Sequence, residues 1–220
     1  MDWIEHTTFP KVFKLRGGAG SENVKLVKTK GIALALINRA FGKGFKPFIP
    51  LSRSKEYWRK YRLNKSTLRD VLRPLYYIVN CPSSIKMRHV EKGYIYFQDF
   101  IPNNTSDIRI VVVGDKAFGI KRMSRKNDFR ASGSGNIIYN KIEIDERCVK
   151  IAFEIFDKIR SQCIAFDFVF DGNNIPFIIE ISYGFSASGY EACEGYWDKE
   201  MNWHEGPFNP CVWMIENLIK

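Results

Sequence analysis

Two acidic residues stand where acidic residues are costly. Asp167 interrupts the apolar run Ile164–Phe170, and Glu180 interrupts Ile175–Ile181. A buried carboxylate is expensive unless it is paired or bound to a metal. The turn Asp171-Gly172-Asn173-Asn174 separates the two runs. A hairpin symmetric about Asn173-Asn174 sets Asp167 directly opposite Glu180, on one face, with Cβ atoms roughly 5 Å apart. Ser182, two residues on from Glu180, points to the same face. Two carboxylates and a hydroxyl around one point suit magnesium, which prefers oxygen ligands. The plainer reading is one carboxylate facing solvent at a strand end.

A second candidate is the loop Arg16-Gly17-Gly18-Ala19-Gly20-Ser21. Glycines let backbone N–H groups approach a phosphate closely. No Gly-Lys-Ser/Thr follows, so it is no Walker A loop. The GxGxxG spacing of dinucleotide sites is missing too. By itself the loop reads equally as a mobile hairpin tip. Lys14, two positions ahead and within a strand, adds a point charge that can reach a nucleotide phosphate.

The elements that must position these residues alternate in a regular way. Strands are predicted at Val12–Leu15, Val24–Val27, Tyr94–Phe97, Ile108–Val113, Ala117–Arg122, Ile164–Phe170 and Ile175–Ile181. They rest on β-branched alternation and on the turns at 16–21, Gly114-Asp115 and 171–174. Helices are predicted from Ile32 to Phe41, stopped by Gly42 and Gly44, from about Ser54 to Arg73, and from Asp145 to Ile159. Arg125–Gly135 reads as a loop. This is an α+β pattern of antiparallel sheets with a few helices packed on them.

The chain has 220 residues, 45% of them hydrophobic, enough for one large domain or two small lobes. No apolar run approaches the length of a membrane helix, and the N-terminus is no signal peptide, so a cytoplasmic protein is expected. The five cysteines and three histidines are scattered, with no CxxC pair, and suggest reduced thiols rather than zinc or a nucleophile system. The net charge is +10. Between Arg53 and Arg73, eight Lys and Arg face only Glu56 and Asp70. That stretch is a solvated helical surface, or a patch for a nucleotide, an acidic substrate or nucleic acid. No RNA- or DNA-binding motif is present, so nucleic acid is not expected.

Lysine, glycine-rich hairpin, strand-end hinge, basic hairpin and acidic hairpin occur here in one order. From about Phe9 to Gly184 that order resembles the ATP-grasp superfamily. Its nearest flavour resembles ribosomal-protein glutamate ligases and related carboxylate–amine ligases. The specific segments are Asp107–Asp115, Ile120-Lys121-Arg122 and Asn127–Gly133. The resemblance implies an ATP-grasp fold of two α+β lobes, here 9–95 and 96–220, whose antiparallel sheets grip ATP. It also implies roles. Lys14 would contact the nucleotide near the α-phosphate, and Gly17, Gly18, Gly20 and Ser21 would fold over the phosphates. Gln98, Asp99 and Ile101 match the hinge that reads adenine, and Asp107 the acidic residue on the ribose. Lys121 matches a phosphate-binding lysine, and Arg130 the arginine near the transferred γ-phosphate. Asp167 and Glu180 match the ligands of magnesium (or manganese), with Ser182 where the family usually has Asn.

The implied reaction is ADP-forming ligation. A small-molecule, peptide or sugar carboxylate attacks ATP to give an acyl phosphate, which an amine or similar nucleophile then takes up. Complete family members usually carry an N-terminal substrate-binding domain, which is apparently lacking here, since thirteen residues precede Lys14. A homo-oligomer or a partner subunit is open. The tail carries Trp197, Trp203 and Trp213, which either cover the sheet or shape an acceptor site. Two other readings compete: an ATP-grasp kinase with a hydroxyl acceptor, and a nucleotide-binding or interaction module without catalysis.

Overall fold

Helices and strands divide between two units, Met1–Phe100 and Ile101–Lys220. The computed structural model describes residues 2–16, 23–46, 49–62, 64, 66–87, 89–125 and 128–219.

The first unit contains α1 (Trp3–His6), β1 (Lys11–Lys14), β2 (Lys25–Val27), α2 (Lys30–Phe41), α3 (Pro50–Tyr61), α4 (Leu68–Tyr76), α5 (Ser83–Lys86) and β3 (Tyr96–Asp99). β1 is the centre of an antiparallel sheet in the order β2-β1-β3. α2 begins where the Thr29 hydroxyl accepts the Ile32 N–H. Its buried residues, Ala33, Leu36 and Ala40, recur at helical spacing and pack with Phe13, Leu15, Val27 and Phe45. Each large apolar side chain buried there contributes about 1.5–3 kcal/mol.

The basic stretch is two helices, not the single one predicted from Ser54 to Arg73. The break is chemical. Thr67 and Asp70 form a capping box, with the Thr67 hydroxyl accepting from the Asp70 N–H (3.3 Å) and the Asp70 carboxylate from the Thr67 N–H (3.0 Å). The run of charges hides this start signal in the sequence. Ser54, buried, donates to the Val71 carbonyl at 2.7 Å and ties α3 to α4.

The second unit contains β4 (Ser106–Val113), β5 (Lys116–Met123), β6 (Ile137–Ile138), α6 (Glu146–Ile159), β7 (Cys163–Phe170), β8 (Pro176–Ser182), β9 (Gly195–Asp198), β10 (Trp203–Glu205) and α7 (Pro210–Ile219). The sheet order is β10-β9-β5-β4-β7-β8, with β6 beside β5, and every pairing is antiparallel. β4 and β5 turn at Gly114, whose φ of +60° lies in the left-handed region that glycine enters freely.

The sheet has two faces. Ile108, Ile110, Val112, Ala117, Ile164, Phe166 and Phe168 point to α6, which answers with Val149, Ala152, Phe153 and Phe156. Gly119 has no side chain because a Cβ would come within 2.7 Å of Ile110. On the other face Phe118 is ringed by Phe185, Tyr190, Phe208 and Trp213, with centroids 4.9–6.1 Å away. The tail thus does more than cover the sheet. β9 and β10 extend it beyond β5, burying Trp197 on the α6 face, while α7 brings Trp213 to the other. Among the described residues no helix is long and apolar enough to cross a membrane.

Candidate functional site

The second face turns from aromatic to charged along its length. Strand alternation puts Asp107 and Arg109 of β4, Arg122 of β5, Asp167 of β7 and Glu180 of β8 on that face. Asp107 pairs in register with Arg122, Arg109 with Asp167, and Asp167 with Glu180. The expected opposition of Asp167 and Glu180 is therefore present, with a different cause. Near the turn the hairpin pairs Phe170 with Pro176 and Phe168 with Ile178, one residue out of step with a turn centred on Asn173-Asn174. A bulge between the Asp167 and Phe168 positions inserts Ile179 and restores the step.

Asp167 is 3% exposed and its charge is answered from two sides. Arg109 donates from Nε at 2.5 Å and from Nη2 at 2.7 Å, and Nη2 of Arg122 lies 2.8 Å from Oδ2. Arg122 also forks onto Asp107 at 2.6 and 2.7 Å. Burial pushes the Asp167 carboxyl up, but the two guanidiniums outweigh it and hold it below the usual carboxylate range. At Asp107 burial prevails over Arg122, and the carboxyl is raised. Burial opposes the charge of both arginines, yet the aspartates hold them more firmly protonated than usual. Tyr190 is buried on the same face, close enough to Arg109 to feel its charge.

Glu180, exposed, and Ser182, whose hydroxyl donates to the Gly184 carbonyl at 3.1 Å, complete the row. Among the described residues no three His, Cys, Asp or Glu side chains gather to hold a metal by themselves. Of the roughly four lone-pair positions on a carboxylate, arginines occupy three at Asp167. The donor set of Glu180, Ser182 and the remaining side of Asp167 fits an ion that brings phosphate oxygens with it, the common manner of magnesium.

Lys121 is not in this row. It pairs with Ile108, so it points to the α6 face, where its ammonium meets Glu143 at 2.6 Å. Arg130 lies in the loop after β5, forked onto Asp128 at 2.6–3.0 Å. Asp107, expected to present a carboxylate for ribose, is buried against Arg122. The Ile101 carbonyl accepts from the Asn104 amide, which also exchanges hydrogen bonds with the Phe170 backbone at 2.8 and 2.9 Å. Arg109, Arg122 and Asn104 were not singled out from the sequence. A two-residue turn at Gly114-Asp115 sets Asp107 opposite Arg122 and Lys121 on the reverse face, so the pairing was there to be counted.

In the first unit, register puts Lys14, Tyr96 and Gln98 on one face of the three-stranded sheet, with Phe13 and Phe97 on the face packed by α2. Asp99 lies at the end of β3 in an ion pair with Lys11. Gly17, Gly18, Gly20 and Ser21 fall outside the described residues, as does Asn127.

The chain is similar to biotin carboxylase from Campylobacter jejuni, solved as a βγ-ATP complex, with a TM-score of 0.44 and 15% identity over 83% of this chain and 33% of that one. It is also similar to the biotin carboxylase domain dimer of Hydrogenobacter thermophilus 2-oxoglutarate carboxylase, solved with MgADP, ADP and bicarbonate. There the TM-score is 0.47, the identity 10%, and the coverage 84% and 33%. A third is the macrocyclase MdnB from Microcystis aeruginosa MRC, at 0.32, 11%, 64% and 51%. The chain thus spans about a third of the length of the first two. No curated protein matches it. The profile of the RimK-like ATP-grasp domain matches residues 77–198, more than half of the chain and the whole of the charged row. With its mixed helices and antiparallel sheets, the chain belongs to the RimK-like ATP-grasp family.

Proposed function

We propose that the chain is an ATP- and magnesium-dependent ligase that phosphorylates a carboxylate and passes the acyl group to an amine or a similar nucleophile. The observation that supports this best is the pair of protonated arginines, Arg109 and Arg122, sharing one sheet face with Asp167 and Glu180. Guanidiniums aimed at a transferring phosphoryl group stabilise the charge that develops there. Arg109 is the more accessible candidate, since its side chain is 19% exposed against 7% for Arg122. In this reading Arg109 takes the phosphate-binding part first given to Lys121, and Asp107 positions Arg122. Magnesium, when bound, would neutralise charge on the phosphates, and Glu180, Asp167 and Ser182 would hold it. Lys14 and Gln98 keep their assignment to the nucleotide. The reaction needs no covalent protein residue, in keeping with the thiols of Cys148 and Cys193, which burial pushes up to about 12.

The test is thermal unfolding with and without Mg-ATP, on the chain and on an Asp167→Asn, Glu180→Gln variant. A ligand at a hundred times its Kd stabilises the native state by about 2.7 kcal/mol. A rise in Tm that the variant loses supports the site and leads to screening carboxylates for phosphate release. If ATP raises neither melting point, the ligase reading is lost. A nucleotide-binding module without catalysis is the reading that the double capture of Asp167 favours, and nucleotide-dependent stabilisation without phosphate release for any carboxylate would select it.

A further inference from the structure

α4 has two opposed sides. Val71 and Pro74 are buried, and the Val71 carbonyl takes the Ser54 hydroxyl of α3. Leu68, Leu72 and Tyr76 follow at four-residue steps and are all exposed. With Arg69, Arg73 and Tyr77 they line an open groove of about 580 Å³. The apolar surface runs past the helix end. Ile78 and Val79 sit in the turns that close α4, their N–H groups donating to the Leu75 and Tyr76 carbonyls, and Val79 is 83% exposed. On α3, Leu51 and Trp58 are exposed, with Lys55 between them and Arg62 beyond.

Exposed apolar side chains gathered along one helix face and rimmed by basic ones mark an interaction surface. The helices α3 and α4 precede residue 77, where the match to the shared family domain begins, so that domain does not account for them. Two properties narrow the occupant. Over α3 and α4 the described Lys and Arg are Arg53, Lys55, Arg59, Lys60, Arg62, Arg69 and Arg73, against Glu56 and Asp70, so the occupant is anionic. The aliphatic tips at Ile78 and Val79 protrude rather than line the groove. A folded partner needs a matching pocket for each, whereas a bilayer interface accepts them in any arrangement. Nucleic acid would satisfy the arginines through phosphate but offers little for Leu68, Leu72, Ile78 and Val79. Trp, Tyr and Leu interleaved with Lys and Arg is the composition of surfaces that lie in a headgroup layer.

We propose that α3, α4 and the turn after them dock the chain on an anionic lipid surface, without crossing it. This stands apart from the ligase reading and can fail or succeed independently of it.

The test is co-sedimentation of the full chain with vesicles of phosphatidylcholine alone and of phosphatidylcholine mixed with phosphatidylglycerol. Binding to the mixed vesicles alone is expected, weakening as salt is raised. Arg69→Gln with Arg73→Gln should weaken it roughly 25-fold, at about fivefold per basic residue. Ile78→Asp with Val79→Asp should weaken it about tenfold or more. Lys150→Gln with Lys158→Gln, on α6, should change it little. Melting curves check that each variant folds. As a measurement free of variants, brominated lipid should quench tryptophan fluorescence of the parent chain. Equal binding to neutral vesicles, or none to either, overturns the proposal. So does capture of poly-glutamate, RNA or a second copy of the chain without vesicle binding.

Discussion

On the face of the seven-stranded sheet that α6 covers, Lys121 reaches outward to Glu143 and the interior beside it is aliphatic and aromatic. On the other face its neighbour Arg122 is buried between Asp107 and Asp167. Both cations have an acidic partner at about 2.6 Å, so distance does not separate them. Burial does. A half-exposed ion pair is worth about 0–1 kcal/mol because water screens it. A buried one gains little over apolar packing, yet leaves a costly orphan charge when one partner goes. The two faces therefore differ in what they can surrender. The α6 face loses a charge quietly. The opposite face holds its charges in a chain where each depends on the next, which is the condition for an incoming anion to rearrange them.

The comparison fails first at Arg122. Arg122→Ala removes the partner of Asp107 and one of the two partners of Asp167. It should cost about 3–5 kcal/mol in chemical denaturation. A loss under about 1 kcal/mol would put both faces on the same footing. Arg109→Gln is expected to be milder, about 1–3 kcal/mol, because Asp167 keeps Arg122. It should also free oxygens of Asp167, so that Mn²⁺ binds more tightly without nucleotide by electron paramagnetic resonance. Unchanged affinity would mean that Arg109 does not keep metal from Asp167. The pH dependence of Arg109→Gln sharpens this further. Asp167 has a lowered carboxyl, so its stabilisation is full above the unfolded-state value of about 3.9 and is lost as pH falls through the lower folded value. Without Arg109 that acid loss should begin at higher pH. Lys121→Gln should cost less than about 1 kcal/mol and leave nucleotide-dependent stabilisation intact. A large loss of nucleotide binding there would return the phosphate role to Lys121.

Much of this arrangement was legible in the sequence. β-branched alternation at Ile108–Val113 and the Gly114-Asp115 turn located β4 and β5, and the apolar spacing of Val149, Ala152, Phe153 and Phe156 located α6. The cost of carboxylates in apolar runs and the spacing about the 171–174 turn pointed to the acidic hairpin. Faces were harder. Lys121 and Arg122 look interchangeable in a basic triplet, and only the register with β4 decides which one meets Asp107. The capping box at Thr67 was hidden within charges, so two helices read as one. The strands β9 and β10 escaped because Trp197 and Trp203, set among acidic residues, give no clean alternation. Their pairing comes from packing, with the two rings meeting edge to face at 4.6 Å.

Ile179 carries a different kind of information from the residues beside it. Its side chain is incidental, because what matters is that it counts as one. If it is replaced, the strand still reaches Glu180 in step with Asp167. If it is deleted, the straight ladder set by Phe170 and Pro176 runs on and still brings Glu180 opposite Asp167, now without a bulge, whereas one residue added beside it turns Glu180 and Ser182 together to the α6 side and puts apolar residues in their places. This hairpin should therefore be forgiving of substitution or loss at position 179 and intolerant of a residue added there.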